Sequence, residues 1–194
     1  MPDTSLSLLE RLRLQPNQEL WTRLVELYVP LIRGWLRRYN VSPEDAEDLA
    51  QDVMALVIRE MPDFQHNQQA GAFRKWLRTI TVNRLRMLWR ARQGKAAASG
   101  NSDVLQMLDQ LEDPNSGLSR VWDEQHNQHV ARRLMALIQP EFTAKTWEAF
   151  RRAVLDSQKP AAIAQDLGIS VNAVLLAKSR VLKRLRQEMR GLTE

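Results

Sequence analysis

The stretch KPAAIAQDLGISVNAVLLAKSRVLKRL, residues 159 to 185, sets the tightest limit on what this chain can fold into. Two runs of helical periodicity meet there at a single glycine. Ala164 is small enough for two helices to cross closely, and Gly168 suits a tight turn between them. Ile163, Leu167, Ile169 and Val174 can fill the wedge between the helices, and Ser170 is a natural N-cap for the second one. The pattern predicts a helix–turn–helix, with a purely structural helical hairpin as the alternative. In such motifs the second helix enters the DNA major groove and reads base edges near its N-terminus, where free backbone N–H groups also suit a phosphate.

Wound at about 100° per residue, Val171, Val174, Leu175, Val181, Leu182, Leu185 and Met189 gather into one apolar stripe. Asn172, Arg180, Lys183, Arg184 and Gln187 fall opposite. Leu176 lands among the polar group, and Lys178 lands in the stripe, from which its ammonium can still reach outward. Leu176 has two readings. Either it meets the C5-methyl of a thymine, with Asn172 available for an adenine edge, or it packs on a neighbouring helix or partner protein.

The rest of the chain is also periodic in the helical sense, and no segment alternates as a strand would. Helices are expected from Leu6 to Leu14 and from Glu19 to Tyr39, the latter interrupted by Pro30. Ser42-Pro43-Glu44-Asp45 is a helix start: a capping serine, a proline in the first turn and carboxylates at the positive end of the helix dipole. That helix carries Ala46, Leu49, Ala50, Val53, Val57 and Met61 on one face and stops at Pro62. Phe73, Trp76, Leu77, Ile80, Leu88 and Trp89 mark another helix. Further helices are expected over Leu118 to Ile138, after Thr143, and over Pro160 to Leu167. The small and polar residues of GKAAASGNSD, followed by an acidic stretch poor in bulky apolar residues, read as a linker. The expected architecture is all-α: two small helical domains, residues 1–93 and 118–194, joined by a flexible acidic linker over 94–117.

Charge is segregated along this framework. The net charge is +5 and the pI about 10.0, which suits a polyanionic partner. No acidic residue occurs from Gln65 to Ser99, where eight bases lie, Lys95 last among them; a second basic block occupies the C-terminal helix. Acidic blocks lie around Glu44 to Asp63 and Asp103 to Glu124. Two anion-binding surfaces are therefore expected, with other surfaces for other partners. The chain has no cysteine, which excludes disulfides, thiolate metal sites and cysteine catalysis. His126 and His129 share a helix without a third ligand on a matching element, and no serine or threonine has an identifiable base. No metal, cofactor or enzymatic activity is expected. The charged N-terminus does not read as a signal peptide, and no apolar run approaches the roughly 20 residues of a membrane span, so a cytoplasmic, nucleoid-associated protein is expected.

SPEDAEDLAQDVMALVIREMPDF, a polar loop, and then FRKWLRTITVNRLRMLWRAR resemble region 2 of bacterial RNA polymerase sigma factors of the small, two-domain extracytoplasmic-function type. Ala46-Glu47-Asp48-Leu49-Ala50-Gln51-Asp52-Val53, Phe73, Trp76-Leu77, Ile80 and Asn83 carry the likeness. The C-terminal half resembles region 4 of the same family through Ile163-Ala164, Leu167-Gly168-Ile169-Ser170, Val174, Arg180 and Leu185. The resemblance implies a factor that binds core RNA polymerase and directs it to promoter DNA, with an anti-sigma protein as a further candidate partner. A helix–turn–helix regulator acting without the polymerase is the alternative.

By that resemblance, the helix after Ser42 docks on the polymerase through Asp48, Gln51, Asp52 and Ala55. The −10 element falls to His66 and Asn67 in the loop and to Arg74, Lys75, Arg78, Asn83, Arg84, Arg86 and Arg90 on the following helix. Trp76 is either a stacking ring for an unstacked base or a core residue. Ser170, Asn172, Ala173, Leu176, Arg180, Lys183 and Arg184 are assigned to the −35 element. The family's reading helix commonly carries a threonine and polar or basic residues early on; here Ala173, Leu175, Leu176 and Ala177 stand instead, so the usual −35 preference does not transfer. Asp109, Glu112 and Asp113 imply a linker that imitates nucleic acid along the polymerase's template path, or a plain acidic tether.

Overall fold

The computed structural model describes residues 7–39, 41–64, 71–93 and 101–193, with 92, 93 and 101–105 described as backbone only. Among the described residues there are nine α-helices and no strand, in keeping with the all-helical expectation. They are α1 (Leu8–Leu14), α2 (Gln18–Arg38), α3 (Pro43–Glu60), α4 (Ala72–Gln93), α5 (Asn101–Glu112), α6 (Gly117–Ile138), α7 (Ala144–Val154), α8 (Pro160–Leu167) and α9 (Val171–Met189).

Local chemistry accounts for most of the boundaries. α1 begins at Leu8 because Ser7 closes a capping box: its hydroxyl accepts from Glu10 N at 3.3 Å, and the Glu10 carboxylate accepts from Ser7 N at 2.7 Å. Ser42 caps α3 by accepting from Asp45 N at 3.2 Å, with Pro43 in the first turn. Thr143 and Ser170 cap α7 and α9 in the same way, at 3.2 and 3.1 Å. Pro62 ends α3 in a short 3-10 turn over Met61–Asp63. Pro30 lies inside α2 without ending it.

The chain divides into two compact units, one built on Ser7–Val130 and the other on Ala131–Arg190. In the first, Leu24, Tyr28, Ile32 and Leu36 of α2 are buried, as are Ala46, Ala50, Val53 and Val57 of α3 and Phe73, Leu77 and Leu85 of α4. In the second, Ala149, Ile163, Ala164, Val174 and Ala177 form the buried cluster, with Ala153, Leu167 and Ile169 packed on it.

Two expectations about the linker change. Residues 101–112 form a helix rather than a structureless tether, and Leu108 and Leu111 of that helix are fully buried in the first unit. The acidic stretch cannot build a core alone, but α5 borrows the surface of α4. The boundary also falls inside α6, between Val130 and Ala131, rather than in the linker. The spacing explains why. Trp122, His126, Val130, Leu134 and Ile138 are buried and recur every fourth residue. At 3.6 residues per turn each step drifts by about 40°, so the stripe winds around the helix instead of keeping to one face. The first half belongs to the first unit: Trp122 meets Trp35 edge-on, ring centroids 3.8 Å apart.

No single helix among the described residues is long and apolar enough to cross a membrane.

Candidate protein and nucleic-acid interfaces

α3 separates its two faces cleanly. Leu49, Ala50, Val53, Met54 and Val57 are buried, whereas Asp48, Gln51, Asp52 and Ala55 are all exposed. Their spacing of three and four residues sets them in one line, which continues through Ile58 and Arg59. Ile58 is 36% exposed and was missed in the sequence reading; the same three-four spacing extended by one turn points to it. Glu47, beside this line, is tied to Arg33 at 2.9 Å.

α4 sorts the residues expected to face DNA into two groups. Lys75, Asn83 and Arg90 are exposed and Arg84 half-exposed, as a DNA-facing surface requires. Thr79 and Met87 complete the exposed line at positions 75, 79, 83 and 87, and neither was among the expected residues. Arg74, Arg78 and Arg86, expected on that surface, are instead engaged inside the unit. Asp123 of α6 accepts from Arg74 Nε at 3.0 Å and from Arg78 Nη1 at 3.3 Å, and Arg78 is only 4% exposed. Burial pulls the Arg78 pKa down, and the Asp123 carboxylate works against that pull. Arg86 is held by two carboxylates of α5, with Asp109 at 2.5 Å and Glu112 also in contact. Burial opposes its charge, but the hydrogen bonds it donates to Glu112 and Asp109 outweigh that and raise the pKa. Basic periodicity along α4 could not reveal these partners, which lie 45 and 26 residues away in the chain.

The Arg74 guanidinium also donates to Asn127 Oδ1 at 2.8 Å. Asn127 adjoins His126, whose Nε2 lies 3.2 Å from the Tyr28 hydroxyl. Burial pushes the His126 pKa down to about 3, so the imidazole stays neutral, and burial likewise raises that of Tyr28. His129 Nε2 meets the Leu27 carbonyl at 2.7 Å. Both histidines thus anchor the first half of α6 on α2.

Trp76 is half-buried and stacks on Phe64, centroids 4.6 Å apart and planes 24° apart, with Phe73 at 5.7 Å. One ring face is therefore engaged in packing. His66, Asn67 and the polar loop from Gln65 to Gln69 lie outside the described residues, as do the side chain of Asp103 and all of Lys95.

In the second unit the expected motif has the expected geometry. The axes of α8 and α9 turn through 106°, within the range for a helix–turn–helix. Gly168 takes the left-handed conformation, φ 61° and ψ 44°, and Ile169 N bonds back to Ala164 O at 3.0 Å. Ile163, Ala164, Leu167, Ile169 and Val174 fill the wedge.

The orientation of α9 differs from the expected wheel. Its buried line runs through Val174, Ala177, Val181, Leu185 and Glu188. Ala177 permits close packing in the cluster, which centres the helix between Val174 and Ala177 rather than on the bulkier leucines. Val171 and Leu175, placed in the apolar stripe from sequence, are 44% and 48% exposed, and Lys178 is exposed as well. Asn172, Leu176, Arg180 and Lys183 are exposed where expected, Ala173 is half-buried, and Ser170 uses its hydroxyl as the cap. Arg184 is not available to DNA in this arrangement. It forms a bidentate pair with Glu141 at 2.7 and 2.9 Å and bonds the buried Glu188 at 2.7 Å. Leu175, Ser179 and Arg186 take places on the outward face that the sequence reading did not give them.

Comparison with known proteins adds one match. Residues 24–95 fit the family model for sigma-70 region 2, which takes in all of α3 and all of α4. No match was found among curated proteins. The stretch that carries the acidic line on α3 and the basic line on α4 is thus similar to sigma-70 region 2.

Proposed function

We propose that this chain is a sigma factor of the extracytoplasmic-function type, which binds core RNA polymerase, brings it to promoter DNA and helps open the −10 element. The observation that carries this is the arrangement within the matched region: the exposed line Asp48, Gln51, Asp52, Ala55 on one helix, and the exposed Lys75, Asn83 and Arg90 with the half-exposed Arg84 on the next. The first suits a basic or polar protein surface, the second a DNA backbone held by cations. The helix–turn–helix of the second unit suits the −35 element, with Asn172, Leu176, Arg180 and Lys183 outward. Core polymerase and promoter DNA are the partners on this reading, with an anti-sigma protein as a further one, and the nucleoid is the place of action.

The test is run-off transcription with purified core polymerase. The pair Asp48→Lys and Asp52→Lys is expected to lower core affinity at least tenfold with the helical content unchanged, since both residues are exposed. Undiminished binding removes α3 from the interface. A wild-type chain that binds promoter-like duplex but never core polymerase is a regulator of a different kind.

A further inference from the structure

The rotation of α9 sets Leu175, placed in the buried stripe from sequence, beside the outward Leu176. Leu175 and Leu176 are 48% and 46% exposed, side by side, near the N-terminal end of the second helix of the motif. About 100° separates them around the axis, so they straddle the outward line through Asn172, Ser179 and Lys183. Val171, 44% exposed, adjoins Leu175 one turn earlier. Two exposed leucines in a row are a poor choice for a surface that meets only water.

The surroundings narrow the choice of partner. Lys178, Arg180, Lys183 and Arg186 are all exposed on the same helix, as is Arg190 just past its end, and the helix's one carboxylate, Glu188, is buried against Arg184. An apolar pair set within cations and away from any exposed carboxylate on α9 complements a polyanion that has apolar spots. Duplex DNA has such spots: each thymine presents a C5-methyl in the major groove. The outward line is also poor in the groups that read guanine. Arginine and lysine read guanine edges near the start of a reading helix, whereas here that start offers Asn172, a side chain suited to adenine.

Resting on the reading of α9 as the major-groove helix, we propose that Leu175 and Leu176 are specificity residues that select thymine methyl groups within the recognised element, with Asn172 on a neighbouring adenine. The selectivity comes from desolvating a methyl against a leucine side chain. Lys178, Arg180, Lys183 and Arg186 hold phosphates and add affinity without sequence preference.

The full chain assembled with core polymerase is used to select duplexes from a randomised library. The selected duplex is then resynthesised with deoxyuridine replacing thymine one position at a time, which removes a methyl and leaves base pairing intact. At one or two positions the affinity should fall about fourfold per methyl, the equivalent of one buried methylene. Leu175→Ala or Leu176→Ala should abolish the fall at its own position. Both sites are exposed and alanine favours helix, so the variants keep the fold. A duplex bound equally well with uridine throughout overturns the proposal while leaving the helix–turn–helix reading intact, and the leucine pair is then a protein-docking face. Failure to select any duplex overturns both.

Discussion

Trp122 offers the most direct check on where the first unit ends. The side chain is 1% exposed and sits on Trp35, although it belongs to a helix that the sequence assigns to the other half of the molecule. Replacing it by alanine uncovers roughly 200 Å² of apolar surface, worth about 5 kcal/mol at about 25 cal/mol per Å². One term offsets this. The indole Nε1 is buried without a hydrogen-bond partner, and its removal recovers about 1 to 2 kcal/mol of desolvation cost. The net expectation is a loss of about 3 to 4 kcal/mol, inside the usual range for a buried tryptophan. Urea titration of the full chain, followed by circular dichroism, should show the transition of the first unit move down by about 2 M. Val121→Ala, on the exposed side of the same turn, should change stability by less than about 0.5 kcal/mol. A Trp122→Ala loss below about 1 kcal/mol, or one confined to the second unit, would refute the division inside α6.

Stability should fall as pH drops from neutrality, because of His126. Above about pH 6.5 the imidazole is neutral in both folded and unfolded chains; below it the unfolded chain takes up a proton that the folded one refuses until about pH 3. The expected slope between pH 6 and 5 is about 1 kcal/mol per unit, and His126→Gln should flatten it; an unchanged slope in that variant rules the histidine out as the source. Neutralising both carboxylates that hold Arg86, as Asp109→Asn with Glu112→Gln, should free that guanidinium for phosphate. Non-specific DNA binding should then tighten, and the slope of log K against log salt should steepen by about one; an unaltered slope means that Arg86 does not reach DNA.

Sequence reading succeeded where the controlling interactions are local. The starts of α3, α7 and α9 depend on a hydroxyl and the backbone N–H three residues on, so Ser42, Thr143 and Ser170 announce them. The turn at Gly168 depends on one residue that accepts a positive φ, and the wedge residues follow from helical spacing on either side. The exposed line on α3 was legible for the same reason: a helix with small and branched apolar residues on one side leaves the other side free.

What the sequence by itself determined is the helices other than α5, the caps at Ser42, Thr143 and Ser170 and the likeness to region 2, because each depends on neighbours within about one helical turn. Tertiary structure alone decided which bases remain free. Arg78, Arg86 and Arg184 resemble their exposed neighbours in sequence, yet each meets a carboxylate 45, 26 or 43 residues away. It also decided the rotation of α9, the division of α6 and the docking of α5, since a wheel gives the width of an apolar stripe but not the direction of the surface that covers it. Burial is a property of pairs of elements, and the pairing is absent from any single helix.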